Sequence, residues 1–217
     1  MPSQHQPFRP AGTVYGTLLN FQAERASLAA QMLQPPYKAP PQAPVLYIKT
    51  ANTWSANGVS VPVPAHVPQV EIGATVAMVI GPVTCYVLMN DLSIPHASFF
   101  RPPFKFKCLD GFLGIGSQLL EAANPLNNPA GFKLEVRVNH DLRQTVDFSN
   151  LVRTAEMLLH DVAEFMTLRE GDVLMLGCDC LPSGGRPLAK PGDHIRISSP
   201  SHPALGVLTN SLVAEVL

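Results

Sequence analysis

Three stretches follow one another in the middle of the chain: Ala77-Met-Val-Ile-Gly81, Tyr86-Val-Leu-Met-Asn-Asp-Leu-Ser93 and Lys105-Phe-Lys-Cys-Leu-Asp-Gly-Phe112. The runs Thr75 to Ile80 and Val83 to Leu88 are short, apolar and rich in β-branched residues, which predicts strands. The link Gly81-Pro-Val-Thr-Cys85 is short enough to close a hairpin between them. Working outward, Val45 to Ile48, Leu134 to Val138, Asp172 to Leu176 and His194 to Ile197 have the same character and predict further strands. Proline clusters at Pro35 to Pro44, Pro62 to Pro68 and Pro182 to Pro191 block helix and central-strand continuation, so they predict connectors. Arg169-Glu-Gly-Asp172 and Lys190-Pro-Gly-Asp193 carry turn chemistry. Helical spacing appears over Leu18 to Leu33 and over Leu151 to Phe165, the latter behind a Ser149 or Asn150 cap. The expected class is mainly β with few helices (α+β).

With 217 residues, 46% of them hydrophobic, the chain is long enough for one sizeable core, expected over 13–217 behind a flexible N-terminal extension, 1–12. Only 14% of residues are charged and the formal net charge is -1, so an electrostatic footprint for nucleic acid or an anionic membrane is lacking. Met1 to Pro10 has no signal-type apolar run, and no stretch approaches the roughly 20 apolar residues of a membrane span. A soluble, cytoplasmic protein is expected, and small molecules and protein partners remain as what it handles. Cys85, Cys108, Cys178 and Cys180 are too scattered for a disulfide scaffold, and Cys178 and Cys180 have no second pair at zinc-ribbon spacing.

The order of the three central stretches resembles the fumarylacetoacetate hydrolase family. Supporting matches are Pro44-Val-Leu-Tyr-Ile-Lys49 before them, and Glu164-Phe-Met-Thr-Leu-Arg-Glu-Gly-Asp172 with Lys190-Pro-Gly-Asp193 after. Tyr37-Lys-Ala-Pro-Pro41, Gly73-Ala-Thr-Val-Ala77 and Phe100-Arg-Pro102 are similar to the N-terminal repeat of the family's two-repeat isomerase/decarboxylases of 4-hydroxyphenylacetate breakdown. The resemblance covers about Thr13 to the end and implies the family's β-roll. It also implies decarboxylation and isomerisation of unsaturated 2-oxo or 2-hydroxy dicarboxylates.

Family members typically hold Mg²⁺ or Mn²⁺ with two Glu of an E-x-E strand motif and a later Asp, since residues two apart on a strand point the same way. The resemblance places those Glu positions at Gly73 and Thr75, so Asp91 is the one retained ligand and no metal is expected in this chain. Glu71, two residues before Gly73, is a remote substitute. The lid His and Glu are replaced by Glu24 and Ser27, an anion-binding arginine after Asp91 is lost in Ser93-Ile-Pro-His96, and the late Gly-Thr-Pro turn reads Gly177-Cys-Asp179. The residues left to act are Lys107 and Asp91 as the catalytic candidates, with Lys49, Asn90 and Asp110 for substrate. Lys107 has two open readings: it polarises a substrate oxygen, or it pairs with Asp91 and stabilises the fold. Three functions follow. The chain is a subunit of the isomerase/decarboxylase, paired as a pseudo-two-fold dimer with itself or a homologous subunit carrying Mg²⁺ or Mn²⁺; or a non-catalytic homologue that supports assembly or binds a dicarboxylate without turnover; or an isomerase using Lys107 and Asp91 as acid and base.

Overall fold

The computed structural model describes residues 7–96, 104–124 and 127–215. The stretch Phe100-Arg-Pro102 and the first half of the expected N-terminal extension lie outside them. Gly12 N donates to the Gly171 carbonyl at 2.9 Å and Thr13 N to the Asp172 carboxylate at 2.7 Å, which brings the chain into the fold at Val14.

In chain order the elements are β1 (Val14–Leu18), α1 (Gln22–Ser27), α2 (Ala29–Met32), β2 (Val45–Lys49), β3 (Trp54–Ala56), β4 (Ser60–Val63), β5 (Val70–Glu71), β6 (Ala74–Val79) and β7 (Cys85–Asp91). There follow α3 (Phe104–Lys107), β8 (Leu113–Ile115), β9 (Leu120–Glu121), β10 (Lys133–Val138), β11 (Asp141–Asp147), α4 (Ala155–Ala163), β12 (Val173–Met175), β13 (Leu188–Ala189), β14 (His194–Ser198) and β15 (Val207–Ala214). An eight-stranded sheet runs β2-β1-β12-β6-β7-β8-β3, with β9 also on β7, and a five-stranded sheet runs β11-β10-β14-β15-β4. A short ladder joins β13 to β5. The mainly β expectation holds, and the larger sheet curls into a half-barrel.

The centre of the larger sheet is the predicted hairpin, antiparallel from Val79 opposite Cys85 to Ala74 opposite Asn90. Period-two alternation divides its side chains. Val76, Met78, Tyr86 and Leu88 face the main core between the sheets, where they meet Phe132, Phe148, Leu158 and Ile197. Ala77, Val87 and Met89 face a second core with Val14, Leu18, Tyr47, Leu113 and Met175. Burial on both faces is why β6 and β7 read as nearly continuous apolar runs.

The expected helix over Leu18 to Leu33 is corrected. Leu18 ends β1 with its side chain in the second core, Leu19 has a φ of 61°, and only the short α1 and α2 follow. Pairing of β1 with β2 from Val14 opposite Lys49 to Leu18 opposite Val45 outweighs local helical preference. The helix over Leu151 to Phe165 is shorter than expected: α4 begins after Thr154, whose hydroxyl accepts from Met157 N at 3.2 Å. Ser149 and Asn150 belong instead to a 3₁₀ turn, capped by Asp147, which accepts from Ser149 N at 3.0 Å.

Candidate active site

Alternation along β7 carries Val87 and Met89 to the second core, and the next residue on that face is Asp91, completely buried. Tyr47 and Lys49 reach the same place from β2, two residues apart and so on one face. Lys107 arrives from α3. Lys49 Nζ lies 3.0 Å from Asp91 Oδ1, Lys107 Nζ lies 2.6 Å from Oδ2, and the Tyr47 hydroxyl donates to Oδ2. Neither lysine has any exposed side-chain surface.

Of the two ammonium groups, Lys49 has all its donors engaged. Lys49 Nζ also donates to the carbonyls of Leu92 at 3.3 Å and Phe112 at 2.8 Å, and to that of Lys107. Lys107 Nζ sits 4.7 Å from the centre of the Tyr47 ring, a cation–π distance. Burial pushes the Asp91 carboxyl up, but the Lys107, Lys49 and Arg186 charges together hold it well below the usual carboxylate range. Burial outweighs Asp91 in lowering the Lys49 ammonium, while burial and then Asp91 push the Tyr47 hydroxyl well up. Nearby, burial pushes the Cys178 thiol up to about 12.

These residues do not fit a divalent cation. A Cβ on Gly73 would lie 2.4 Å from the Asp91 carbonyl oxygen and 3.0 Å from Cys178 Sγ, so no longer side chain fits there without displacement. The Thr75 hydroxyl donates to the Gly177 carbonyl and supplies no carboxylate. Asp91 itself is taken by two ammonium groups. Among the described residues, no three of His, Cys, Asp and Glu are grouped to hold a metal.

The structure brings Asp91, Lys107 and Lys49 together and leaves two other predicted residues elsewhere. Asn90 points to the opposite sheet face, where its amide donates to Asn210 Oδ1 of β15 at 3.0 Å. Asp110 is exposed and accepts from Asn52 at 2.6 Å. Glu71 accepts from Ser93 Oγ at 3.2 Å and does not reach Asp91. Lys107 has the arrangement of a fold-stabilising partner.

Beside the buried cluster lies a cleft of about 200 Å³ whose lining includes Glu24, Glu71, His96, Cys180 and Arg186, but not Asp91, Lys49 or Lys107. Glu24, on α1, and Arg186, on the loop before β13, form a buried ion pair, with Arg186 donating to Glu24 at 3.1 Å. Arg186 was not visible in sequence reasoning because Ser183-Gly-Gly-Arg-Pro187 reads as a connector. Its signal was a lone charge in a chain with few. Tyr47 and Cys178 were missed because each reads as ordinary core.

The fumarylacetoacetate (FAA) hydrolase C-terminal profile matches residues 13–213. The chain belongs to the fumarylacetoacetate hydrolase family. It is 33% identical to the 4-hydroxyphenylacetate degradation bifunctional isomerase/decarboxylase of Salmonella dublin, over 94% of this chain and 48% of that protein. It is 32% identical to the enzyme of the same name from Escherichia coli, over 89% of this chain and 46% of that protein. The chain therefore spans about half the length of the curated relatives it matches. The structure of a 5-carboxymethyl-2-hydroxymuconate delta-isomerase from Mycobacterium smegmatis superposes with a TM-score of 0.71 at 23% identity, over 95% of this chain and 80% of that one, a likeness of fold. No helix among the described residues is long and apolar enough to cross a membrane.

Proposed function

We propose that this family member is the metal-free half of an isomerase/decarboxylase acting on unsaturated 2-oxo or 2-hydroxy dicarboxylates, and works beside a homologous subunit that carries Mg²⁺ or Mn²⁺. The observation that carries this reading is the occupation of Asp91 by Lys49 and Lys107, where a cation would need open carboxylate oxygens. Loss of CO₂ from a β-keto-like acid and a proton shift through a dienol both leave an electron pair at the 2-oxo end, which must be stabilised as an enolate. Asp91, Lys49 and Lys107 are completely buried and do not line the cleft, so they offer that enolate no accessible donor, and the electron sink belongs to the companion subunit. Pairing would be pseudo-two-fold, as expected for two copies of one scaffold.

Co-expression with a homologue bearing an intact E-x-E motif tests this. CO₂ release and dienol ketonisation should appear in the pair, vanish with chelator and be lacking in the isolated chain. Cation-dependent turnover by this chain alone would overturn the proposal. A second reading, a homologue that supports assembly without chemistry, is favoured by the complete burial of Asp91, Lys49 and Lys107. It predicts that Lys107→Met, when folded in the pair, leaves turnover per folded complex unchanged.

A further inference from the structure

The Asp91 cluster leaves the Arg186–Glu24 pair and its cleft without a role. Arg186 is held from its backbone: the next carbonyl, that of Pro187, accepts from Ile72 N at 2.8 Å, and Leu181 and Gly185 pair across the turn before it, N to carbonyl, at 2.8 Å. The side chain turns inward and is only 7% exposed. Yet among the described residues one hydrogen bond is all that its five-donor fork makes, a single contact of 3.1 Å with Glu24 Oε1. Arginine and a carboxylate commonly meet through two parallel bonds, so the guanidinium is under-used for a buried cation.

Glu24 is an awkward resident. Its other oxygen accepts from Leu19 N at 2.7 Å, which ties it to the chain rather than squarely to the arginine. Burial pushes its carboxyl up, more than Arg186 lowers it. It sits on a helix of six residues with no side-chain cap, an element with little intrinsic stability. Glu71, across the cleft, is held aside by Ser93 Oγ at 3.2 Å.

We infer that the cleft is a carboxylate-binding subsite: Arg186 receives one carboxylate of a small dicarboxylate through a two-bond contact, and Glu24 is the internal group that this carboxylate displaces. The choice of a dicarboxylate rests on the proposed function, whereas the arginine site stands on the geometry alone.

Calorimetric titration of the full chain with glutarate, without partner or metal, tests the inference separately from turnover. Glu24→Gln weakens the internal competitor and keeps an acceptor for Leu19 N, so it should tighten glutarate binding by roughly tenfold, the scale of one charge-assisted hydrogen bond. Arg186→Gln should weaken it by at least as much, provided that the variant unfolds cooperatively; if it does not, Glu24→Gln alone decides. Equal affinity in wild type and Glu24→Gln, undiminished affinity in folded Arg186→Gln, or no binding by wild type and Glu24→Gln would overturn the subsite. Glutarate binding without any turnover in the subunit pair would sink the proposed function and leave the subsite standing.

Discussion

Asp91→Asn is the most informative perturbation of the buried cluster, because it keeps the side-chain shape and removes only the charge. In the folded chain the carboxylate faces ammonium groups at 3.0 and 2.6 Å. At an effective dielectric of about 20, each contact represents roughly 5–6 kcal/mol of attraction, largely offset by desolvating three charges. The net worth of the triad is therefore small, yet removing its one anion strands two buried cations. Lys49 keeps its carbonyl acceptors, whereas Lys107 keeps the Tyr47 ring, so the cost should fall near the usual ~3–5 kcal/mol for breaking a buried pair. Against a total stability of about 5–15 kcal/mol, that is a large share. It corresponds to a fall of roughly 6–20 °C in Tm for a chain of this size. Urea unfolding followed through Trp54, the one tryptophan of the chain, measures it. The folded Asp91 carboxyl lies below its ordinary 3.8, so its stabilisation is complete above about pH 4 and is lost as pH falls through the depressed value. The gap between wild type and variant should thus persist from pH 5 to 7 and narrow only in strong acid. A variant within about 1 kcal/mol of wild type at pH 7 would refute the description of Asp91 as the counter-charge of both lysines.

Lys107→Met should cost less than Asp91→Asn, about 2–3 kcal/mol, because Lys49 and Tyr47 still hold the carboxylate, and the double variant should show a coupling of 1 kcal/mol or more in the same unfolding assay. Gly73→Ala should destabilise by about 1–3 kcal/mol through its contact with the Asp91 carbonyl. For the same reason Gly73→Glu with Thr75→Glu should yield no stoichiometric Mn²⁺ by elemental analysis, and tight metal in that variant would contradict the lack of room beside Asp91. Cys178, raised from 9.0 to about 12, should be alkylated by iodoacetamide at pH 8 roughly 10³-fold more slowly in the native chain than in urea, as read by mass spectrometry. Since the folded thiol holds its proton more tightly than the unfolded one, stability should decline as pH rises from 9 to 12, by about 4 kcal/mol.

The parts legible in the sequence were those where one physical pressure dominated. The β6–β7 hairpin could be read because both faces are buried, and β12 likewise, whereas β10 and β14 each bury one face through β-branched and leucine side chains, Leu134, Val136 and Val138 and then Ile195 and Ile197. The strand β11 (Asp-Leu-Arg-Gln-Thr-Val-Asp) escaped notice because it lies at a sheet edge with much of its length exposed, and β15 because Thr209, Asn210 and Ser211 dilute its apolar pattern. Leu18 to Leu33 misled because its composition suits a helix while pairing with β2 claims Leu18, and Leu19 turns the chain with a φ of 61°. Family resemblance named Asp91, Lys107 and Lys49, which the structure brings together, and also Asn90, which faces the other side of the sheet. Period-two alternation alone separates it, since adjacent strand residues face opposite ways. The Arg186–Glu24 pair joins positions 162 apart in sequence, which no local pattern reveals.

Two ammonium groups carry the same total charge as one divalent cation, and on the proposed metal-free reading this equivalence accounts for a buried Asp91. A carboxylate left alone in that interior would lose its hydration uncompensated; Lys49 and Lys107 replace the missing +2. The substitution is electrostatic and not chemical. A metal ion keeps open coordination positions that a substrate can enter, whereas each lysine has a fixed reach, and Lys49 has spent its three donors on backbone carbonyls while meeting Asp91 Oδ1 as an ion pair. On the proposed function, the buried cluster keeps the fold around Asp91 and leaves enolate stabilisation to the companion subunit. Among the described residues Arg186 is the one buried cation that lines the cleft, so the proposed carboxylate contact lies on its open side.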